Sequence, residues 1–168
     1  MNQKKICEQL LEIERVIPIL NKITLFGGLN DKQLYAVFRL LKRVCYKAEE
    51  YVFKQGDQPS HIYIILCGKV KIVVDVEGTP LEMIELHEGQ CFGDTAVLAV
   101  QLHSASAITV EDTELIVLSR EALLSTFDSD KDLFGMLILN LAREASRRLH
   151  NTDEVLLHYI SHERGAKK

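Results

Sequence analysis

The residues of this chain that could bind a small anion lie in one stretch, residues 92–109, FGDTAVLAVQLHSASAIT, here named the cassette. It opens on a turn that places an acid, Asp94, directly after Gly93, and it ends in a Ser/Ala-rich strand that begins near Ser104. Backbone N–H groups at the start of a short helix attract an anion, because the helix dipole is positive there. An anion pocket usually also contains an arginine, whereas the cassette contains no Lys or Arg and carries His103 instead.

Length and charge limit the classes of function. The chain of 168 residues is long enough for one domain with a hydrophobic core, and its 47% hydrophobic and 26% charged residues are typical of a soluble globular protein. A net charge of −4 argues against nucleic acid as a partner, since such a surface is basic. We interpret the basic pair Arg147-Arg148 and the tail from Arg164 to Lys168 as solvated ends of helices.

The sequence shows no targeting signal, no membrane span and no metal-ligating arrangement of cysteines. The N-terminal stretch is charged and amphipathic, and the longest apolar runs, such as residues 96–100, fall far short of the roughly 20 residues of a membrane span. The four cysteines are scattered without metal-ligand spacing, at Cys7, Cys45, Cys67 and Cys91. We therefore expect free thiols in a cytoplasmic protein that has no membrane as a partner.

Catalytic signatures are not found in the sequence either. It has no nucleophile elbow with His and acid partners, no phosphate-binding P-loop and no HExxH motif. The histidines His61, His87 and His103 fall on separate turns and lack the close His-x-His pair of a metal-binding β-roll. We therefore predict neither catalytic nor metal-ligating residues, and the chain is not expected to be an enzyme.

The periodicity of apolar residues changes along the chain. Residues 4–20 have helical spacing, and Asn30 can cap a second helix whose apolar stripe includes Leu34 and Leu41. From residue 44 the period is two, in short runs separated by glycine turns at 44–48, 51–54, 61–67, 69–76, 81–86, 104–110 and 113–118. Short strands at such intervals predict a sandwich or a barrel-like roll.

The C-terminal part is predicted to be helical, with Ser119 as the N-cap of a short helix and a long helix over about residues 131–160. Leu133, Leu137 and Leu141 form one face that can pack on the roll. A second face has coiled-coil spacing, through Ile138, Ala142, Ala145, Leu149, Thr152, Leu156 and Tyr159. We interpret the second face as the seam of a homodimer; the alternative is one broad face folded back on the domain.

Four motifs in order resemble one known family. They are Tyr46–Asp57, which is similar to the pattern Y-K-x-G-E-x-I-F-x-x-G-D, then Ile62–Val70, Phe92-Gly93-Asp94, and Glu111–Leu115. Through them, about residues 22–160 resemble the cyclic nucleotide-binding domains of catabolite activator proteins, kinase regulatory subunits and gated channels. The resemblance implies a mostly β fold with α, a double-stranded β-helix (a jelly-roll-like β-roll) flanked by N-terminal helices and a long C-terminal helix. We place an N-terminal helix in residues 1–21, the roll with flanking helices in 22–128, and the dimerisation helix and tail in 129–168.

The resemblance also implies how each cassette residue would meet a ligand. The turn of Gly93, Asp94, Thr95 and Ala96 would meet the phosphate, and an acid would accept a hydrogen bond from the ribose 2′-hydroxyl. The family has Glu where this chain has Asp94, whose shorter side chain leaves room for a bridging water. Nine residues later the family has a phosphate-binding Arg, and this chain has His103 followed by Ser104. The ligand expected is therefore cAMP or cGMP, bound weakly if at all.

Two interpretations of His103 follow. It substitutes imperfectly for the arginine and binds phosphate best when protonated, or it is a partly exposed loop histidine left after selection for nucleotide binding was relaxed. The segment Arg147–Glu154 is similar to the activator-protein pattern R-R-L-x-x-T-S-E, which makes Thr152 and Asp153 candidates for contact with the base. Thr152 alternatively fixes the register of the dimer seam.

Two classes of function agree with these features. The chain ends after the long helix, without the helix-turn-helix domain of the activator proteins, so one hypothesis is a stand-alone sensor whose ligand moves the terminal helix. The other is a dimeric scaffold that retains the fold, binds no ligand and contacts a protein partner.

Overall fold

The computed structural model describes the backbone of residues 13–165 and the side chains of residues 17–158. The helices described are α1 (Ile13–Leu20), a 3₁₀ helix (Thr24–Phe26), α2 (Asp31–Leu40), α3 (Asp94–Ala99), α4 (Arg120–Ser129) and α5 (Lys131–Gly165). The strands are β1 (Leu41–Tyr46), β2 (Tyr51–Phe53), β3 (His61–Cys67), β4 (Val70–Val76), β5 (Thr79–Leu86), β6 (Cys91–Phe92), β7 (Ser106–Thr109) and β8 (Thr113–Ser119). The first nine residues of the helix predicted over residues 4–20 lie outside the described residues.

The strands form two antiparallel four-stranded sheets, in the orders β1-β8-β3-β6 and β2-β7-β4-β5. Chain neighbours such as β2 and β3 lie in different sheets, so the chain winds between the sheets as a β-roll does. The predicted fold class is confirmed, with a roll flanked by N-terminal helices and a long C-terminal helix. Strand β6 was not predicted.

Two strands of the first sheet are buried on both faces. In β3, Ile62 and Ile64 face the helices, while Tyr63 and Ile65 face the interior of the roll. The same division holds in β8, where Leu118 belongs to the helix side and Val117 to the interior. Double burial explains why the sequence of β3, HIYIILC, lacks alternation of polar and apolar residues.

Helix α5 packs on the outside of this sheet through the predicted face. Leu133, Leu137 and Leu141 are almost completely buried there, and each such side chain contributes roughly 1.5–3 kcal/mol of hydrophobic free energy. The Asn140 side chain adds a polar anchor, because its amide donates to the carbonyl oxygens of Leu25 and Gly27 at 3.0 and 2.8 Å. Between residues 131 and 141, α5 is therefore fixed to the helical layer.

The predicted caps fix where the helices begin. Asn30 and Gln33 form a reciprocal capping box at α2, and the Ser119 hydroxyl accepts from the Ala122 N–H at the start of α4. Asp130 accepts from the Leu133 N–H at the start of α5. No described helix combines the length and apolar character needed to cross a bilayer.

Candidate functional site

The cassette begins at a glycine that two constraints require. Gly93 has φ of 77°, in the left-handed region, and follows directly on β6. A Cβ at Gly93 would lie 3.0 Å from a ring carbon of Tyr63 and 3.1 Å from the His61 carbonyl oxygen. Only glycine adopts this φ without strain and leaves the neighbouring Tyr63 and His61 atoms in place. The turn therefore brings the next residue, Asp94, to a fixed position next to β3.

Asp94 is the buried acid of the cassette, with 0% of its surface exposed. Its Oδ2 accepts a short hydrogen bond from Nη2 of Arg148, which lies on α5. Burial acts to lower the pKa of this guanidinium, but the charge and hydrogen bond of Asp94 outweigh it, and the pKa of Arg148 is raised. The ion pair joins the cassette to the C-terminal helix.

The Asp94–Arg148 pair is incomplete in its hydrogen bonds. Asp94 Oδ1 and Arg148 Nε are both buried, and neither has a hydrogen-bond partner. Buried polar groups almost always have partners, so an acceptor and a donor left open in one ion pair are unusual. The Arg148 Nε also lies 3.8 Å from Glu144 Oε1, one turn earlier on α5.

Arg148 was not among the predicted site residues, and the interpretation of Arg147-Arg148 as solvated was wrong for one of the two. Arg147 is largely exposed and pairs with Glu144 on its own helix. Arg148 instead contacts an acid 54 residues earlier in the chain. The available signal was the R-R-L segment, which was matched to the family pattern for Thr152 and Asp153 rather than for the arginine.

His103, at the other end of the cassette, is stacked and enclosed. Its ring lies 3.7 Å from the Phe53 ring, centroid to centroid, with 11° between the planes, and the residue is 5% exposed. Its N–H donates to the Asp57 carbonyl, and its carbonyl accepts from the Gly56 N–H at 2.8 Å. The expectation of a partly exposed loop histidine was therefore wrong, because the turn after β2 holds the residue against the aromatic ring.

The protonation state of His103 follows from this burial. Desolvation lowers the pKa of the imidazole, and the charge of Asp57 opposes the shift without cancelling it. The aromatic group around the stack extends through Phe53 to Tyr63 and Phe92, whose rings lie 5.5 and 5.9 Å from that of Phe53. The far end of the cassette is thus neutral and aromatic at pH 7.

A strained residue connects the two ends. Val100 has φ of 54°, a left-handed conformation that a β-branched side chain rarely adopts, at the end of α3. Its N–H donates to the Ala96 carbonyl, which closes the short helix. Strain of this kind is common at ligand-binding segments, where the surrounding structure maintains it.

The other predicted ligand residues are less enclosed. Ala96 is buried in α3, whereas Thr95 and Ser104 are exposed. Thr152 and Asp153 are exposed on α5, about one turn beyond Arg148, and the Thr152 hydroxyl donates to the Arg148 carbonyl at 2.9 Å. Gly93, Asp94, Thr95 and Ala96 thus lie together at the start of α3. Contact of Thr152 and Asp153 with a base stays a prediction.

The residues of the predicted dimer seam differ in exposure. Leu149 and Leu156 are 62% and 54% exposed, and Ala142 and Thr152 are also exposed. Ala145 is half-buried, and Ile138 is half-buried against the helical core; the Tyr159 side chain lies outside the described residues. An exposed apolar row on a helix is compatible with a coiled-coil partner, and the seam stays a prediction.

Metal ligation finds no support among the described side chains, where no cluster of at least three His, Cys, Asp or Glu residues occurs. Burial raises the pKa of the Cys91 thiol to about 12, helped by the nearby charge of Asp94, so this cysteine is not a thiolate at neutral pH.

An open cavity of about 220 Å³ lies beside the 3₁₀ helix, lined by Thr24, Asn140, Arg143, Glu144 and Arg147.

Known proteins share this arrangement of roll and helix. The cyclic AMP receptor protein of Thermus thermophilus is 32% identical over 130 residues, covering 77% of this chain and 58% of the relative. A solved cyclic nucleotide-binding domain from Methylobacillus flagellatus superposes with a TM-score of 0.77 at 21% identity, over 86% of this chain and 82% of that one. A solved regulatory subunit of a cAMP-independent protein kinase A from Trypanosoma cruzi, bound to guanosine, has a TM-score of 0.68 at 23% identity, over 79% of this chain and 46% of that one.

The family assignment rests on sequence as well as on shape. The sequence profile described as "Cyclic nucleotide-binding domain" matches residues 43–130, from the first strand to the turn before α5. This segment contains the cassette and both sheets of the roll. The domain of this family is a regulatory, non-catalytic module. The chain belongs to the cyclic nucleotide-binding domain family.

Proposed function

We propose that the protein is a cytoplasmic regulatory sensor in signal transduction, in which a ligand of nucleotide type binds at the cassette and changes how α5 contacts a partner. The observation that carries the proposal is the ion pair between buried Asp94 and Arg148. The same acid is the residue that the family resemblance assigns to the ribose. A ligand at Asp94 therefore competes with, or reorganises, the contact that holds α5.

The arrangement of anchors on α5 supports a local response. Asn140 and the buried leucines hold the first part of the helix, whereas beyond Leu141 Arg148 makes a polar contact to the roll. A ligand that shifts Arg148 would free the part of α5 that carries Leu149 and Leu156. The equilibrium between the docked and the released helix would then shift by as much as the ligand's affinities for the two states differ. These two leucines belong to the predicted homodimer seam.

Affinity for cAMP or cGMP is expected to be low. Replacing an arginine by a neutral, stacked His103 removes a charge-assisted hydrogen bond worth roughly 1.5–3 kcal/mol, or about ten- to hundredfold in affinity. The Thermus relative is named a cyclic AMP receptor protein, and the Trypanosoma neighbour is described as cAMP-independent and bound to guanosine. Both descriptions favour a purine compound as the natural type of ligand.

The experiment combines a thermal-shift series with hydrogen exchange. Purine nucleosides and cyclic nucleotides at roughly ten times their dissociation constants should stabilise the chain by about 1.4 kcal/mol, or roughly 3–6 °C in Tm. Amide exchange over residues 142–158 should change on binding in the wild type. In Asp94→Asn, which lacks the ionic tether, it should not change. If no compound of either class shifts Tm, or exchange in α5 is indifferent to ligand, the sensor proposal fails.

A dimeric scaffold that binds no ligand remains the second candidate, favoured by the exposed Leu149 and Leu156. Light scattering should then report a dimer without added ligand, and Leu149→Glu together with Leu156→Glu should produce a monomer. Leu124→Glu, an exposed leucine on α4, is the matched control and should leave the mass unchanged. A monomeric wild-type chain would contradict this candidate.

A further inference from the structure

Among the ion pairs of the described residues, Arg148 supplies the cation that contacts the cassette. No Lys or Arg occurs among residues 92–109, and the guanidinium that reaches the cassette is that of Arg148. That group is bound by Asp94, and Glu144, which lies 3.8 Å from it, is itself paired with Arg147, so the two arginines and two carboxylates balance one another. A phosphate entering here would therefore meet no uncompensated positive charge.

The far end of the cassette does not supply the missing charge either. His103 is held in its stack on Phe53 by ring contact and by two backbone hydrogen bonds to the turn at Gly56 and Asp57. Turning the ring toward a phosphate would break the stack, and protonating it would place a charge in a site with 5% exposure.

The open hydrogen-bond positions specify a different kind of ligand atom. Asp94 Oδ1 requires a donor and Arg148 Nε requires an acceptor, and the two belong to one ion pair. A hydroxyl group donates and accepts at once, so a single hydroxyl can satisfy both. A phosphate oxygen satisfies the arginine alone and is repelled by the carboxylate.

We propose that the cassette selects an uncharged nucleoside over a cyclic nucleotide, with the ribose 2′-hydroxyl bridging Asp94 and Arg148. The proposal rests on the proposed sensor function and names the ligand class of that same site. It also assigns Arg148 a role in specificity, because the guanidinium is retained by the carboxylate instead of being offered to a phosphate. The site would thus recognise the ribose of its ligand, not a phosphate.

The test is a calorimetric charge series on the wild-type chain with the base held constant. Adenosine carries no charge, cAMP one negative charge and AMP about two, and guanosine with cGMP and GMP gives the matched second series. We expect each nucleoside to bind at least about tenfold more tightly than its cyclic nucleotide, and the monophosphate to bind most weakly. 2′-Deoxyadenosine should lose about tenfold or more relative to adenosine, because the bridging hydroxyl is gone.

Variants at the far end sharpen the same test. His103→Arg should raise cAMP affinity by at least about tenfold while leaving adenosine within about threefold. His103→Gln, neutral and of similar size, is the control and should preserve the preference for the nucleoside. If His103→Arg does not fold, the wild-type charge series still decides the matter.

The possible failures are distinguishable. Cyclic nucleotides that bind as tightly as nucleosides, or more tightly, would overturn the proposed ligand class while leaving the sensor function intact. Equal affinities of adenosine and 2′-deoxyadenosine would overturn the hydroxyl bridge. Absence of binding by every compound in the series would overturn the sensor function, and the nucleoside proposal with it.

Discussion

The two ends of the cassette differ in what they leave available. At Asp94 a buried charge is held by Arg148 with one acceptor and one donor still open, whereas at His103 a neutral ring is stacked and its backbone groups are bonded. In the family resemblance the first end meets the ribose and the second meets the phosphate. The difference favours our proposal that the ribose end of the site is available to a ligand while the phosphate end is closed by aromatic packing.

The largest effect is expected at the charged end. Arg148→Met leaves the carboxylate of Asp94 buried without its cation, so we expect a loss of about 2–3 kcal/mol, which is below the range of about 3–5 kcal/mol for fully buried pairs because Arg148 is 37% exposed. Asp94→Asn should cost less, about 1 kcal/mol, since the guanidinium can turn toward water. Chemical denaturation of both variants measures this asymmetry.

The neighbouring arginine provides the control for that measurement. Arg147→Met removes a pair with Glu144 within the same helix, in which the arginine is 58% exposed, and should change stability by about 0.5 kcal/mol or less. Equal losses in Arg148→Met and Asp94→Asn would mean that the carboxylate does not depend on its guanidinium. The contrast would then be wrong between the Asp94 end, where the ion pair can be rearranged by a ligand (the exchangeable end), and the His103 end, which is stacked and bonded (the closed end).

The neutral end should be visible in the pH dependence of stability. Burial lowers the pKa of His103 in the folded chain, so below about pH 6.5 the unfolded chain takes up the proton first. Stability is therefore lost as the pH falls from that value through the folded pKa, by at most about 1.4 kcal/mol per pH unit. His103→Gln should show a smaller fall in Tm between about pH 7.5 and 5.5 than the wild type.

The remaining histidines are common to both proteins, so the difference between the two pH profiles isolates His103. Asp57 is the charged group that acts on the imidazole, and it opposes the shift. Asp57→Asn should therefore steepen the wild-type loss at low pH. Parallel profiles for wild type and His103→Gln would show that the ring is hydrated, and the neutral, closed end would not exist.

The fold could be predicted from the sequence because its signals are local. Turn glycines and period-two runs marked the strands, and Asn30 and Ser119 marked helix starts. Strand β6 has two residues and therefore no period to detect. Glu49 has φ of 63°, in the left-handed region that favours glycine, at the position where the family pattern has glycine.

The site was harder to predict because its defining contacts are not local. Asp94 and His103 were predicted as ligand residues from their spacing within one segment. The partner of Asp94 lies on another helix, where a charged residue on a polar face has the same sequence signal whether it meets water or a buried acid. The stack of His103 on Phe53 depends on the turn after β2, which no pattern within the cassette reports.

The smallest effect concerns the strained residue between the two ends. Val100→Gly removes the cost of a left-handed residue, about 1–2 kcal/mol, but adds about 1 kcal/mol of backbone entropy, so we expect a net gain of at most about 1 kcal/mol and roughly 4 °C in Tm. Ala99→Gly, one residue earlier within α3, is the control and should lose about 1 kcal/mol. A loss in both variants would refute the strain.

Ligand affinity of Val100→Gly then decides what the strain is for. If the variant is more stable but binds adenosine less tightly, the left-handed turn maintains the spacing between the exchangeable end at Asp94 and the closed end at His103. If affinity is unchanged, the spacing is maintained by the backbone bonds of His103 to Asp57 and Gly56, and Val100 only terminates α3. Either result assigns the geometry of the cassette to one set of contacts, because the first explanation predicts a loss of affinity and the second predicts none.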